Sequence, residues 1–460
     1  MLNTIGQQKP ERSRNEGAFD FAALRRREFA RLDAQGHCYL DYTGSALYGV
    51  SQLREHQRLL STGLFGNPHS DSSVARASTR VIEEARQAVL NFLGVDDRTH
   101  VVCFTANCSA AIKLVAESYP FGPERQLVLS ADNHNSVNGI REYAARAGSS
   151  LGVLPLTESL ELDDPAAVLG EVATRGGGLL AYPAQSNFSG VLHPLSLVQQ
   201  ARERGFDVLL DIAAYAPSHR ISLAECPADF AVLSFYKLFG YPTGIGALVL
   251  RREAMRKLSR PWFAGGTVRY ASVHANRYRL HDGAEGFEDG TPDFLGIAAL
   301  PAGFSLLGEV SMDRLTVRVK DLAADLSWRL TSLSHANGRR VIRVYGPEDP
   351  ARRGGAVTFN VLDATGHVVP YEQVESSARE AGISVRGGCF CNPGAAEKAF
   401  AVDLAHWGAC LDTLDAHFTS RQFAACTGTH IGALRASVGL ATDFADVARL
   451  ADFLRQYAER

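Results

Sequence analysis

The sequence predicts an α/β fold, with a mostly parallel sheet in a large domain and a smaller α+β domain at the carboxyl end. Short apolar runs rich in Val, Ile and Leu alternate with longer amphipathic stretches, the order expected of βα units. Several of these runs end at small or polar residues, which is typical of the ligand-binding edge of an open α/β sheet. Beyond about residue 300 a long helical stretch leads into a second group of strand-like runs.

The elements follow one another along the chain. Residues 1–18 predict a disordered tail, and FAALRRREFARL follows it at helical spacing. Five strand-like runs then end at polar clusters: HVVCF, QLVLS, GLLAYPAQ, DVLLD and ADFAVLSF. The helical stretch FSLLGEVSMDRLTVRVKDLAADLSWRLTSL precedes VIRVYG, AVTFNVL and ISVRGG, and DFADVARLADFLRQYAER predicts a closing helix. We therefore place a large domain over 19–310 and a small one over 311–460, packed together because no Pro/Ser linker separates them.

The composition is that of an ordinary globular protein. Lys and Arg number 47 against 50 Asp and Glu, a net charge of −3, so no overall positive field favours nucleic acid or an anionic membrane. The first residues lack the apolar core of a secretory signal, so we expect a cytoplasmic location. Eight cysteines in 460 residues are too dilute for a disulfide scaffold, and most should be small buried apolar groups.

Lys237 directly follows a strand-like run and precedes the glycine-rich LFGYPTGIGALVL. A lysine held at a strand edge among apolar and aromatic neighbours is desolvated, which favours its neutral amine and makes it a candidate Schiff-base nucleophile. Ser234, three residues earlier, is a candidate phosphate donor. The alternative for any single lysine is a solvated surface charge. The residues that accompany Lys237 therefore decide between the two interpretations.

Pyridoxal phosphate (PLP) bound to a lysine needs an acid at its ring nitrogen, a phosphate site and a flat partner for its ring. Asp211 ends DVLLD and can supply the acid, although a turn or N-cap aspartate explains it equally well. Asn107, Cys108 and Ser109 stand at a strand-to-helix transition that suits a phosphate, where ordinary capping is the alternative. His134 is a flat ring at another strand end, or a structural histidine.

Five segments together resemble the class V aminotransferase superfamily of PLP enzymes: SFYKLFGYPTGIGAL, FTANCSAAIKLVAES, DNHNSVNGIREYA, FEDGTPDF and VRGGCFCNPGA. Within that superfamily they are most similar to the cysteine desulfurase-like domain of molybdenum cofactor sulfurases. The resemblance runs from about Tyr39 to about Ala441. It implies PLP as cofactor and the transferase architecture called fold type I.

The resemblance also implies roles for individual residues. Lys237 would hold the cofactor, Asp211 would pair with its ring nitrogen, and His134 would stack on the ring and join the catalytic group. Asn187 would hydrogen-bond the ring hydroxyl. Thr267 matches a threonine that reaches the phosphate of the neighbouring subunit, which implies a homodimer. The phosphate would lie among the backbone of Ala106, Asn107 and Cys108, the hydroxyl of Ser234, and Tyr236.

Cys391, in VRGGCFCNPGA, matches the position of the persulfide-forming cysteine in desulfurases. A thiolate nucleophile needs nearby positive charge, which Arg386 can supply. A structural thiol is the alternative, while a metal pair is disfavoured because Cys-x-Cys lacks a second ligand pair at zinc spacing; we predict no metal site. Arg435 matches the family's substrate-carboxylate arginine, with Arg386 as a supporting candidate.

The implied activity is removal of sulfur from L-cysteine as a Cys391 persulfide, with release of alanine and a protein or cofactor as sulfur acceptor. Two alternatives stay open: a PLP-dependent lyase, epimerase or aminotransferase acting on a modified amino acid in a specialised biosynthetic pathway, and a non-catalytic interaction protein. Eukaryotic sulfurases carry a further carboxyl-terminal domain that binds the cofactor receiving the sulfur; we expect no such domain within these 460 residues, which leaves the acceptor open. The stretch 399–430 is expected either to cover the site entrance or to form a packed helical hairpin.

Overall fold

The computed structural model describes residues 19–172, 177–415, 417–428 and 431–458, so the predicted tail at 1–18 lies outside the described residues. The strands are β1 Cys38–Tyr39, β2 His100–Thr105, β3 Gln126–Ser130, β4 Leu151–Leu154, β5 Gly178–Pro183, β6 Phe206–Asp211, β7 Phe230–Ser234, β8 Gly246–Arg251, β9 Val268–Ser272, β10 Arg277–Leu280, β11 Ile342–Tyr345, β12 Ala356–Val361, β13 Ile383–Ser384, β14 Arg386–Gly388 and β15 Ala433–Ser437. The α-helices are α1 Phe21–Glu28, α2 Ala30–Ala34, α3 Val50–Thr62, α4 Ser73–Phe92, α5 Cys108–Ser118, α6 Asn135–Asn138, α7 Ile140–Arg146, α8 Pro165–Val172, α9 Ser196–Glu203, α10 Phe235–Phe239, α11 Arg252–Met255, α12 Phe294–Ile297, α13 Leu300–Val310, α14 Met312–Thr331, α15 Tyr371–Glu380, α16 Pro393–Ala399, α17 Leu404–Thr413, α18 Ser420–Thr427 and α19 Phe444–Leu454.

The larger sheet has seven strands in the order β2-β8-β7-β6-β5-β3-β4. Its pairs are parallel except where β8 runs antiparallel to β2 and β7. The carboxyl ends of β2, β3, β5, β6 and β7 therefore share one edge, which confirms that the five predicted strand ends meet there. The α/β fold with a mostly parallel sheet is confirmed as well.

Both faces of this sheet are buried, as expected of parallel strands covered by helices. Successive strand residues alternate between two apolar cores: Val102 and Phe104 join one, and Val101 and Cys103 join the other. The period-two alternation follows from strand geometry. Apart from the edge strand β4, where Leu151 and Val153 are exposed, the covered faces leave the edges of the sheet as the place for ligands.

The smaller sheet has four antiparallel strands in the order β11-β12-β15-β14. The amino-terminal strand β1 pairs in parallel with β13, and Asp41 bridges to Ser437 of β15. The segment before the large sheet therefore contacts the small one. Asp41 is brought to the small sheet by this pairing, and its carboxylate matters for the site described below.

The long helical stretch after residue 303 is not continuous, contrary to the prediction. Ser311 has a φ of +67°, which an α-helix cannot continue through, and its hydroxyl accepts from the N–H of Arg314 at 3.4 Å to begin α14. In the described residues no single helix is long and apolar enough to cross a membrane; the bent pair Phe294–Val310 and Met312–Thr331, at 71°, meets that test only when combined.

The cysteines behave as predicted in part. Cys38, Cys103, Cys108 and Cys226 are buried free thiols. The other finding is a disulfide between Cys410 and Cys426, which the sequence analysis did not predict. It joins α17 to α18, so the described part of 399–430 forms a cross-linked helical hairpin, one of the two expectations for that stretch.

His219 gives a test of how burial affects stability against pH. Its ring is buried against Tyr215, with centroids 4.8 Å apart, and burial lowers its pKa to about 4. The unfolded chain binds this proton first as the pH falls, because its pKa lies near ~6.5, so His219 destabilises the fold between about pH 6.5 and 4. We expect His219→Gln to reduce the loss of unfolding free energy between pH 7 and pH 5 by about 2 kcal/mol, measured by urea unfolding. The exposed His274→Gln serves as control, and an unchanged loss in His219→Gln would contradict the expectation.

Candidate active site

A cavity of about 460 Å³ opens at the carboxyl edge of the large sheet. Its walls come from the ends of β2, β3, β5, β6 and β7 and from the loop before β8. The lining residues are Ala106, Asn107, Cys108, Ser109, Ile112, His134, Ser136, Pro183, Gln185, Asn187, Asp211, Ala213, Ala214, Ser234, Tyr236, Lys237, Thr243 and Gly244. Nine of the predicted site residues are therefore brought together in one place: Ala106, Asn107, Cys108, His134, Asn187, Asp211, Ser234, Tyr236 and Lys237.

Lys237 lies in the short helix α10, which starts where β7 ends. Its side chain is half-buried on the cavity wall, and Gly240, with a φ of +83°, ends the helix three residues later. Within the described part of the chain its amine has no recorded ion pair or hydrogen bond. The amine is therefore available to a ligand in the cavity.

Asp211 ends β6 on the same wall and is 9% exposed. Its Oδ1 accepts from the N–H of Ala213 at 2.9 Å, so the turn aspartate considered above is present and the second carboxylate oxygen remains for a ligand. Burial raises the pKa of the neighbouring Cys108 thiol well above its usual value, Asp211 raises it further, and Lys237 opposes both. The carboxylate of Asp211 and the amine of Lys237 therefore both line the cavity, and both influence the same buried thiol.

His134 is the N-cap of α6. Its Nδ1 accepts from the N–H of Ser136 at 3.1 Å, so a neutral ring carries its proton on Nε2. Burial lowers the pKa of His134, and the nearby Lys237 lowers it further while Asp211 raises it. The ring is consequently held neutral and flat at the cavity wall.

The amino end of α5 forms the polar end of the cavity. Asn107 caps the helix through an Oδ1 that accepts from Ala110 N–H at 2.9 Å. Cys108 N–H donates to Ser234 Oγ at 3.2 Å, which leaves the hydroxyl hydrogen of Ser234 free to donate elsewhere. A Cβ at Gly246 would stand 2.4 Å from the Asn107 carbonyl carbon, so only glycine lets β8 approach this turn. A helix amino end lined with donors suits an anion.

Gln185 was not among the predicted residues. It lies two positions past β5, is 2% exposed and lines the cavity, and its Oε1 is buried without a hydrogen-bond partner among the described residues. An orphaned acceptor facing a cavity is a place for a ligand donor. The signal in the sequence was its position at the end of GLLAYPAQ.

Cys391 lies at the tip of the loop between β14 and α16. Its side chain is exposed, and its carbonyl accepts from the N–H of Asn135, the residue after His134, at 2.7 Å. Burial raises the pKa of the other thiol in the pair, Cys389, to about 11. Of the two cysteines, Cys391 is the accessible one and stands beside the cavity rather than in its lining.

Arg386 and Arg435 converge on one carboxylate, that of Asp41. Arg386 Nη2 donates to Oδ2 at 2.7 Å and Arg435 Nη2 to Oδ1 at 3.2 Å. Arg435 also donates to the carbonyl of Asn187 and lies over the ring of Phe390 at 4.6 Å. Burial lowers the pKa of Arg435 to about 10, and the charges of Asp41 and Cys391 act in the opposite direction. Neither arginine is among the residues that line the cavity, and Arg435 reaches it only through the carbonyl of Asn187.

Thr267 is not brought to this cavity. It is 1% exposed, and its hydroxyl bonds to the backbone of Ala264 at the base of the β9–β10 hairpin. The predicted contact with a neighbouring subunit's phosphate stays a prediction.

Comparison with known proteins agrees with this arrangement. The family model for class V aminotransferases matches residues 38–450. A molybdenum cofactor sulfurase of Arabidopsis thaliana is 33% identical over 479 aligned residues, covering 95% of this chain and 58% of that protein. The chain thus spans little more than half the length of the curated relatives it matches.

Solved structures share the fold. A cysteine desulfurase from Thermococcus onnurineus superposes with a TM-score of 0.78 at 22% identity, covering 95% of this chain and 97% of that one. A C-DES mutant with glycine covalently linked to its PLP cofactor superposes with a TM-score of 0.71 at 17% identity, covering 94% and 99%. The family model spans both sheets and every wall of the cavity, and the chain belongs to the class V aminotransferase family.

Proposed function

We propose that the chain is a PLP-dependent cysteine desulfurase of the molybdenum cofactor sulfurase type. The observation that carries the proposal is the hydrogen bond from Asn135 to the Cys391 carbonyl, because it sets an exposed thiol beside a cavity that already holds an amine and an acid. Sulfurase relatives and desulfurase neighbours support the same reaction. We also propose a cytoplasmic location, where a reducing environment would keep the exposed Cys391 thiol free and would reduce the Cys410–Cys426 disulfide.

The cavity suits PLP in size and in the chemistry of its walls. Lys237 would hold the aldehyde carbon, Asp211 the ring nitrogen and His134 the ring face. The Asn107 turn and the hydroxyl of Ser234 would hold the phosphate. Gln185 Oε1 would accept a hydrogen bond from the bound ligand. When bound, the cofactor supplies a carbonyl that captures amines and a protonated ring that accepts electrons.

Side chains of the cavity would then remove the Cα proton of the substrate and stabilise the charges around it. Lys237 Nζ, once free of the cofactor, is a base on the cavity wall for the Cα proton of an amino acid. The carboxylate of Asp211 would favour the protonated, positively charged form of the ring nitrogen of PLP. His134, neutral and protonated at Nε2, covers the ring without adding a second positive charge.

Cys391 takes the sulfur. Its thiolate attacks the Sγ of the substrate cysteine, the Cβ–Sγ bond breaks, and the electron pair of that bond stays on carbon, which is protonated. The balance is L-cysteine plus the Cys391 thiol giving L-alanine plus a Cys391 persulfide, so carbon is reduced and sulfur oxidised. A protein or cofactor thiophile receives the sulfur in a later step.

Arg386, supported by Arg435, would bind the substrate carboxylate. Arg386 has a side chain that is 48% exposed, whereas that of Arg435 is 2% exposed. Arg386 is therefore the one a substrate can reach directly, and Arg435 stabilises the site through Asp41 and the carbonyl of Asn187. The Nε and Nη2 of Arg386 already donate to Asp41, so a substrate carboxylate would be bound through its Nη1 and its charge.

The direct test is to identify the products formed from a panel of amino acids. Incubation with L-cysteine should give equal amounts of alanine and of sulfide or protein-bound persulfide. Pyruvate and ammonia with no alanine would instead indicate a lyase, and racemised or transaminated substrate would indicate the other PLP reactions. An enzyme that binds PLP but turns over none of the panel would contradict the proposal.

Asp211→Asn should lower the rate of alanine formation by about a hundredfold or more, because the ring nitrogen loses its charge partner. Binding of PLP, read from its absorbance, should persist. Asp207→Asn is a matched control, since Asp207 lies in the same strand and accepts from Tyr119 Oη at 2.9 Å at the end away from the cavity. Equal activity of the two variants would remove Asp211 from the mechanism.

We also propose that the enzyme is a homodimer. The β9–β10 hairpin is a two-stranded ribbon whose Tyr270 and Val273 are 61% and 93% exposed, and Phe263 packs against Tyr278 of β10 with ring centroids 4.5 Å apart. A two-stranded hairpin with an exposed aromatic face is marginal alone and typical of an interaction surface. A second copy covering it would bring the region of Thr267 toward the other cavity.

A further inference from the structure

Asp132 is a buried carboxylate that the proposed reaction does not use. It follows β3 and is fully buried. Its Oδ2 accepts from His193 Nε2 at 2.8 Å, and its Oδ1 accepts from Ser186 Oγ at 2.8 Å and from Asn392 Nδ2 at 2.6 Å. Among the described residues no lysine or arginine forms an ion pair with it. A buried carboxylate held by three side-chain donors is expensive to maintain and calls for an explanation.

Two of these donors flank the site. Ser186 precedes Asn187, a residue of the cavity wall, and Asn392 follows Cys391. Asn392 is itself fully buried, and its Nδ2 also donates to Asn187 Oδ1 at 3.0 Å. Asp132 thus joins the cavity wall to the cysteine loop across 260 residues of sequence.

The loop it joins is strained. Phe390 and Cys391 both have a φ of +55°, a left-handed conformation that non-glycine residues adopt at a cost in free energy. Two adjacent residues in this conformation persist only when contacts with the surrounding structure stabilise them. Asn187 Nδ2 donates to the carbonyl of Phe390 at 2.6 Å, and Asn392, whose Oδ1 accepts from the N–H of Ala395 at 3.2 Å, begins the helix on the other side.

We propose that Asp132 is a positioning residue that fixes the loop tip at Cys391 and the side chain of Asn187 in one relative orientation. It acts through Asn392 and Ser186 and touches neither substrate nor cofactor. The inference rests on the proposed function, since its consequence is that the Cys391 thiol meets the substrate sulfur in a single orientation.

The hydrogen bonds, rather than the charge, carry this role. Asparagine at 132 keeps one oxygen for Ser186 and Asn392, and its amide can face His193, whose Nδ1 has no partner within the described chain, so that the ring can change tautomer. Alanine at 132 removes the acceptor of Ser186 Oγ and His193 Nε2, and leaves Asn392 Nδ2 with Asn187 Oδ1 as its one acceptor. The two substitutions therefore separate the positioning role from the effect of losing a charge.

The test compares Asp132→Ala and Asp132→Asn in the PLP-loaded full chain. We expect Asp132→Ala to lower the rate of persulfide formation on Cys391, followed by protein mass spectrometry, by tenfold or more. The KM for L-cysteine and the amount of bound PLP should be unchanged. Asp132→Asn should recover activity to within about threefold of the original. Asn392→Ala should resemble Asp132→Ala, and it serves as the second variant where Asp132→Ala does not fold.

Asp229→Ala is the matched control, because Asp229 is also buried in this sheet but accepts from Val208 N–H at 3.0 Å near its opposite edge. Persulfide formation at the original rate in Asp132→Ala and Asn392→Ala, or an Asp132→Asn as impaired as Asp132→Ala, would overturn the inference. Hydrogen exchange in the 385–396 peptide gives a readout independent of the reaction. Faster exchange in Asp132→Ala but not in Asp229→Ala supports the inference even where no persulfide forms in the unmodified chain, an outcome that counts against the proposed function alone.

Discussion

Cys391→Ala is expected to abolish the release of sulfur from L-cysteine, by about three orders of magnitude or more, while the protein keeps its bound cofactor. The reason is that no other accessible thiol in the described structure stands beside the cavity. Cys391 is exposed and bonded through its carbonyl to the residue after His134, whereas the remaining free thiols are buried or half-buried. Alanine and persulfide production should be measured together with the absorbance of the cofactor.

Cys389→Ala is the matched control, since Cys389 lies two residues away in the same loop. Burial raises its pKa to about 11, which keeps the thiol protonated and a poor nucleophile. This variant should retain most of the activity. Full turnover in Cys391→Ala would remove the desulfurase assignment and leave a PLP reaction that needs no thiol, such as elimination.

Lys237→Ala should lose both the absorbance of covalently bound PLP near the visible edge and about three orders of magnitude or more of turnover. Lys237 is the lysine on the cavity wall, beside Asp211 and at the start of the short helix after β7. Removing it takes away the covalent attachment of the cofactor and the base for the Cα proton at once.

Lys257→Ala provides the comparison, because Lys257 pairs with Asp207 at 2.5 Å at the far end of β6. Its spectrum and turnover should match those of the unmodified protein. A Lys237→Ala protein that still shows the absorbance of covalently bound PLP would mean that another amine holds the cofactor, and the placement of the site would be wrong.

Local signals in the sequence predicted five strands of the seven-stranded sheet and much of the cavity. Each buried strand is a short continuous apolar run, and each ends in a polar cluster. Parallel strands bring such ends to one edge, so Lys237, Asp211 and His134 were expected together before any contact was known. The strand β15 was not predicted, because ALRAS is short and its burial depends on the strands β12 and β14 that pair with it.

Other features depend on contacts that no local pattern contains. The break at Ser311 interrupts a continuous helical periodicity, and the disulfide joins two cysteines that are 16 residues apart in different helices. Gln185 becomes a site residue only because its acceptor is left unpaired inside the cavity.

The sequence by itself determined the α/β architecture, since apolar periodicity and strand ends are local properties of the chain, and its motifs indicated the family and the roles of the amine, the acid and the ring through their resemblance to known enzymes. Only the tertiary structure decided that Asp41 holds both arginines and that Asp132 ties Asn392 to the cavity wall. Those contacts join residues 394 and 260 positions apart. Their hydrogen bonds depend on where the two sheets pack against each other, which no stretch of neighbouring residues specifies.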